Sequence, residues 1–180
     1  MTKTKQVVFS HGKESGPWGG KIVAMADVAR GLGCTVDSID YRDLPVAASR
    51  VERLLERYDG YCGDLVLVGS SMGAYVSLQA CERLKPGGLF LLAPALGLAG
   101  YEQHNPPPYA ERALIVHAWQ DEVVPAQSVL DFARRHQIEL HMVNSDHRLL
   151  SALPLICLLL RDFLVGLKRD DHTGRSCDCP

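Results

Sequence analysis

The sequence predicts an α/β protein, a three-layer α/β/α sandwich built on a mostly parallel sheet of about six strands. Three observations predict it. Short runs rich in Val, Ile and Leu alternate with stretches of helical spacing, the pattern of parallel strands joined by right-handed crossovers. The runs DLVLVG and GLFLLA are almost continuously apolar, as central strands covered on both faces must be. No repeat, linker or low-complexity segment interrupts the 180 residues. Residues 1–168 are therefore expected to form one domain, with 169–180 as a flexible C-terminal tail.

Each element has its own justification. QVVFS (6–10) is the first strand, followed by a glycine-rich loop. A helix over 20–32 places Ile22, Met25, Ala26, Ala29 and Leu32 on one face, and GLG ends it. TVDSID (35–40) is assigned to a sheet edge. A second helix over 46–58 aligns Val46, Val51, Leu54, Leu55 and Tyr58 between charged residues. DLVLVG (64–69) leads into a helix over 72–84. GLFLLA (88–93) leads instead into PALGLAGYEQHNPPPYAER (94–112), an irregular connection long enough to be expected to be functional or mobile. ALIVHAW (113–119), a helix over 126–136, IELHMVN (138–144) and a helix over 150–167 complete the chain. The most apolar tract, Leu149 to Leu160, contains Pro154 and lies between Arg148 and Arg161. It is too short to cross a bilayer and suits a helix buried against the core.

Composition narrows the function classes. The net charge is -2, with acidic and basic residues mixed along the chain. Nucleic acid is not an expected partner, and long-range steering of an anion is not indicated. Val7, Val8 and Phe9 make too short an apolar segment for a signal peptide, so a cytoplasmic protein with no membrane partner is expected. Cys34, Cys62, Cys81 and Cys157 sit singly among apolar neighbours and read as small buried thiols. Cys177 and Cys179, with His172 nearby in the tail, lack the spacing of a four-ligand zinc site.

In open parallel sheets, ligands bind beyond the carboxyl ends of the strands, and four such ends carry unusual chemistry. The first is GSSMG. A serine on a sharp strand-to-helix turn needs small neighbours two positions to either side, because the helix packs back on the strand. Gly69 and Gly73 flank Ser71 in that way, and not Ser70. The alternative is an ordinary turn whose serine caps the helix. The second is VHAWQDEVVP, where Asp121 can leave the strand end and orient an imidazole; Glu122 is its competitor. The third is MVNSDHRLL, where His147 follows the last strand as a base delivered by a loop. His117 and His141, within strands, read as packed; His136 ends a helix, while His104 and His172 lie in the long loop and the tail. The fourth is VVFSHGKESGPWGGK, in which His11-Gly12 opens a loop whose amides can approach a reacting oxyanion.

Taken together, SHGK, GSSMG, HAWQDEVVP and SDHR, in this order and each after a strand, resemble the α/β-hydrolase superfamily over residues 5 to about 167. Within it the sequence is similar to the small serine esterases and acyl-protein thioesterases. The resemblance implies Ser71 as nucleophile, His147 as general base and Asp121 as the acid that orients it. It implies the backbone N–H groups of Met72 and Lys13 as oxyanion donors. It also implies a minimal fold that lacks the first two strands of the usual eight and any large cap. Gly12, Trp18, Tyr101 and Tyr109, with Leu96 and Leu98, are the candidate walls of an acyl pocket.

The expected activity is hydrolysis of a small or short-chain carboxylic ester or thioester through an acyl-enzyme, with no metal and no organic cofactor. A small-molecule ester or thioester is the expected partner, and a homodimer is an allowed assembly. An acyltransferase would use the same three residues, and a non-catalytic ligand-binding protein could share the fold. A dinucleotide site is not expected, because HGKESGPWGG lacks the G-x-G-x-x-G spacing; nor is a P-loop present.

Overall fold

The computed structural model describes residues 4–101 and 105–167. Six strands, β1 (Gln6–Ser10), β2 (Thr35–Ile39), β3 (Leu65–Ser70), β4 (Gly88–Leu92), β5 (Arg112–Ala118) and β6 (Glu139–Val143), form one sheet in the order β2-β1-β3-β4-β5-β6. All five pairings are parallel. The helices are α1 (Gly20–Gly31), α2 (Ala47–Tyr58), α3 (Met72–Leu84), α4 (Ala126–His136) and α5 (Leu153–Gly166).

The three layers follow from chain direction. A right-handed crossover puts its helix on a face set by which way the chain moves across the sheet. The β1-to-β2 step runs one way and every later step runs the other. Accordingly, Ile22, Met25, Ala26 and Ala29 of α1 share one core with Ile156, Leu160 and Phe163 of α5. Leu54 of α2, Leu78 of α3 and Phe132 of α4 share the core on the opposite face. The strands alternate between these two cores. Val66 and Val68 of β3 join the first, and Leu65 and Leu67 join the second. This double burial explains the continuous hydrophobicity of the central strands.

The reversal of direction lies between β1 and β3. Helices leave that point toward opposite faces, which opens a crevice at the strand ends. Register brings the ends level, since Ser10 pairs with Gly69 and Gly69 with Leu91. The loops after β1 and β3 therefore meet.

Several elements depart from expectation. Helix α5 begins at Leu153 rather than at 150, with Pro154 in its first turn, where a missing N–H costs nothing. Its apolar tract is buried on one side only: Ile156 and Leu160 are fully covered, whereas Leu155, Leu158 and Val165 are exposed. Val46 lies outside α2 and is exposed; the buried place on that helix belongs to Arg50. Cys62 is exposed rather than buried, while Cys81 is buried as expected. His141 is not packed, since it lies half-buried on edge strand β6 and its Nε2 meets Glu139 Oε1 at 2.9 Å. No helix interrupts the described residues of the 94–112 connection. His104, His172, Cys177 and Cys179 lie outside the described residues. Among the described residues no helix is long and apolar enough to cross a membrane.

Candidate active site

At the end of β3 the chain turns through Ser71 with φ 54° and ψ -117°, a left-handed conformation that a non-glycine residue rarely holds. Backbone bonds keep it there. Ser71 N–H donates to Leu92 O at 2.8 Å, and Ser71 O accepts from Ala74 N at 3.0 Å. The two glycines are steric necessities. A Cβ on Gly69 would stand 2.6 Å from Ala74 N, and one on Gly73 would run into the Ser10 carbonyl and stand 2.7 Å from His11 O. Helix α3 thus packs directly against the ends of β1 and β3. Ser71 occupies the N-cap position of α3, yet its side chain makes no capping bond. The hydroxyl is turned elsewhere.

It is turned to His147. Ser71 Oγ and His147 Nε2 are 2.9 Å apart, and His147 Nδ1 lies 2.7 Å from Asp121 Oδ2. The side chain of Asp121 is fully buried. Its other oxygen, Oδ1, accepts from the backbone N–H of Val123 at 2.9 Å and of Val124 at 2.8 Å. A carboxylate only accepts, so Nδ1 carries the imidazole proton and Nε2 presents its lone pair to the serine hydroxyl. Glu122, the competing acid, is exposed and takes no part in this chain of bonds.

A second imidazole stands close by. His117 is fully buried on β5, and its Nε2–H donates to Val124 O at 3.2 Å. Its Nδ1, 3.7 Å from Asp121 Oδ2, has no hydrogen-bond partner among the described residues. Burial pushes the His117 pKa down, so the ring stays neutral and does not compete for the carboxylate as a cation.

The loop after β1 closes the opposite side. A Cβ on Gly12 would lie 3.6 Å from Ser71 Cβ, so this loop passes directly over the elbow. Neither Met72 N–H nor Lys13 N–H has a backbone partner among the described residues. The loop is fixed from behind. His11 Nδ1–H donates to Gly12 O at 2.7 Å, and its Nε2 accepts from Tyr41 N–H at 3.0 Å. Burial holds the His11 pKa below its ordinary value, consistent with this neutral tautomer. Arg50, 2% exposed, donates to Leu44 O at 2.7 Å and to His11 O at 3.2 Å. Its guanidinium also lies over the Tyr41 ring.

These groups border a cavity of about 540 Å³. Gly12, Lys13, Ser71, Met72, His147 and Tyr101 line it. Trp18 and Tyr109 do not. Trp18 lies under the Arg30 guanidinium, and the Tyr109 N–H is held by Cys81 Sγ near the end of α3. Leu96 is fully buried in the core, whereas Leu98 reaches the cavity. The apolar wall also includes Val123 and Leu150, which loop composition did not mark, and Ile22, which helix periodicity marked only as a core position. Lys21 and Arg148 belong to the same lining, and no carboxylate lies within ion-pair distance of either among the described residues. Among the described residues no group of three or more His, Cys, Asp or Glu is gathered to hold a metal ion.

Comparison with known proteins agrees with this architecture. A protein assigned to the alpha/beta hydrolase superfamily from Xanthomonas campestris pv. campestris is 31% identical, with a TM-score of 0.82 over 92% of this chain and 100% of that one. Two more distant structures share the fold. One is a serine hydrolase without lid from Xanthomonas campestris, 23% identical, with a TM-score of 0.66 over 92% of this chain and 83% of that one. The other is Est1E from Butyrivibrio proteoclasticus with ferulic acid bound, 18% identical, with a TM-score of 0.77 over 93% of this chain and 90% of that one. No curated protein sequence matches. The sequence model described as "Alpha/beta hydrolase family" matches residues 7–173; the described residues form a six-stranded parallel sheet with no large cap among them, and the chain belongs to that family.

Proposed function

We propose that this protein is a serine hydrolase that cleaves a carboxylic ester or thioester through an acyl-enzyme on Ser71. The observation that carries the reading is the continuous path from Asp121 through His147 to the Ser71 hydroxyl, with both contacts under 3 Å. A serine hydroxyl is a weak nucleophile until a neighbouring base takes its proton. His147 Nε2 is within reach of that proton, and Asp121 stabilises the imidazolium that results.

The steps follow from the groups present. Ser71 Oγ attacks the acyl carbon while its proton passes to His147 Nε2. The carbonyl oxygen gains negative charge, which the N–H groups of Met72 and Lys13 receive; one such donor is worth about 3 kcal/mol in acyl transfer. His147 returns the proton to the departing alcohol or thiol, leaving the acyl group on Ser71. Water, deprotonated by His147 in turn, attacks this ester; the acyl–Oγ bond breaks, the proton passes from His147 to Ser71 Oγ, and the acid leaves.

Ser71→Ala should lower turnover of an activated ester by about 10³-fold or more with the fold retained, measured by p-nitrophenyl acetate kinetics and circular dichroism. Undiminished hydrolysis by that variant would remove Ser71 from the mechanism. The open, uncapped cleft favours small or short-chain acyl groups, and a chain-length series of p-nitrophenyl esters and acyl thioesters measures this.

A further inference from the structure

The cavity over Ser71 has a charge that the chain as a whole does not. The molecule carries a net -2. The cavity lining instead sets three cations, Lys13, Lys21 and Arg148, against one carboxylate, Glu14. Lys21 is the most committed of the three. It stands in the first turn of α1, and its ammonium donates to Ser70 Oγ at 3.0 Å and to Arg148 O at 3.0 Å. Ser70 precedes the nucleophile and Arg148 follows the base, so the ammonium sits between the two halves of the reacting centre. Its hydrogen-bond partners are a neutral hydroxyl and a neutral carbonyl, and no carboxylate lies within ion-pair distance of it among the described residues, which leaves a third N–H open to a ligand. A half-buried cation kept beside a reacting centre with no carboxylate in direct contact is costly unless a ligand supplies the anion.

We infer that Lys21 is a specificity-determining residue that pairs with a carboxylate on the substrate, so that the preferred esters are monoanions with an apolar body. The apolar body is matched by Leu98, Tyr101, Val123 and Leu150 around the same cavity. The inference rests on the reading of Ser71 as nucleophile, since it places the charge next to the reacting bond. Burial pushes the Lys21 pKa down to about 8, with Arg148 lowering it further and Asp146 opposing. The other ionisable groups near it are His11, Lys13 and Glu14 from the loop after β1 and His147 from the loop after β6; β3 contributes only hydroxyls. A bound carboxylate raises the Lys21 pKa above its free value. Anion affinity is therefore fully present below about pH 8 and declines as pH rises beyond it.

The test measures binding without turnover, by calorimetry, using 3-acetamidobenzoate and its neutral counterpart 3-acetamidobenzamide. Wild-type protein at pH 7 should bind the carboxylate about tenfold more tightly, the worth of one charge-assisted hydrogen bond in a half-buried site. Lys21→Met should abolish that preference and Lys21→Arg should keep it. Wild-type preference should also fade between pH 7 and 9.5, a readout that holds even if Lys21→Met fails to fold. Equal affinities in wild type, a preference that survives Lys21→Met, or one that is unchanged across that pH range would each overturn the inference. Hydrolysis of 3-acetoxybenzoate and 3-acetoxybenzamide separates the two readings. Ser71-dependent turnover without a carboxylate preference leaves the hydrolase and removes the role of Lys21. A carboxylate preference in binding without Ser71-dependent turnover does the reverse.

Discussion

Asp121 uses its two carboxylate oxygens for different tasks, and this division makes the residue hard to replace. Oδ1 is occupied by the N–H groups of Val123 and Val124, which leaves Oδ2 to meet His147 Nδ1. In Asp121→Asn the two backbone donors demand the amide oxygen, so the NH₂ group must face Nδ1. The imidazole would then carry its proton on Nε2, turned toward Ser71, and could not accept the serine proton. A loss of about 10⁴-fold in kcat is expected, measured on a p-nitrophenyl ester. Glu122→Gln should change kcat by less than about threefold, because exposed carboxylates outside a network contribute little. A reversed pair of results would assign the acid to Glu122. The same scale explains why Ser71 and not Ser70 is the nucleophile candidate. Ser70 Oγ accepts from Lys21, whereas Ser71 Oγ meets the base.

At the level of elements, function depends on how closely α3 and the loop after β1 approach each other. Gly73→Ala would force a methyl group into the Ser10 carbonyl at the end of β1, a backbone contact that no rotamer change relieves. The expected cost is about 3 kcal/mol, comparable with severe overpacking. For a chain of this size that lowers Tm by roughly 6–12 °C, measured by calorimetry. Arg50 serves the same junction from α2, holding Leu44 O and His11 O from a buried position. Arg50→Met should release the loop that carries the Lys13 amide and lower kcat by about 10²-fold, with a smaller change in KM. A fall in Tm with kcat unchanged would show that Arg50 supports the core alone. Helical spacing could not mark Arg50, because periodicity assigns buried places to apolar side chains. A buried guanidinium is tolerated here only because carbonyl oxygens from two loops, distant in sequence, receive its protons.

For the whole molecule, strand order decides where chemistry can occur. The sheet reverses direction between β1 and β3, and the crevice opened there receives the loops bearing Gly12 and Ser71, with Asp121 and His147 arriving from β5 and β6. Much of this was legible in the sequence. Alternation of apolar runs gave six strands and five helices to within a few residues, because both sheet faces are buried and the periodic signal is strong. The small flanks of Ser71 were legible because the elbow leaves no room for Cβ at Gly69 or Gly73. The cavity walls were less so. Trp18 and Tyr109 are aromatic residues in the expected loops but are not among the residues that line the cavity, since loop composition does not set which side chains reach it. Lys21 was hidden for a related reason: net charge averages over the chain, while the field in a cleft depends on which few charges share it. Acidic and basic residues are mixed along the sequence, yet three cations still meet at one cavity.

The central claim is that the hydroxyl at position 71 is made nucleophilic by His147. Labelling the intact protein with a fluorophosphonate and mapping the adduct by mass spectrometry tests it most directly, because the reagent needs an activated serine and no knowledge of the natural substrate. The account predicts one adduct, on Ser71, whose rate of formation falls by at least about 10²-fold in His147→Ala. An unlabelled protein, or a label on Ser70 that forms equally well without His147, would contradict it.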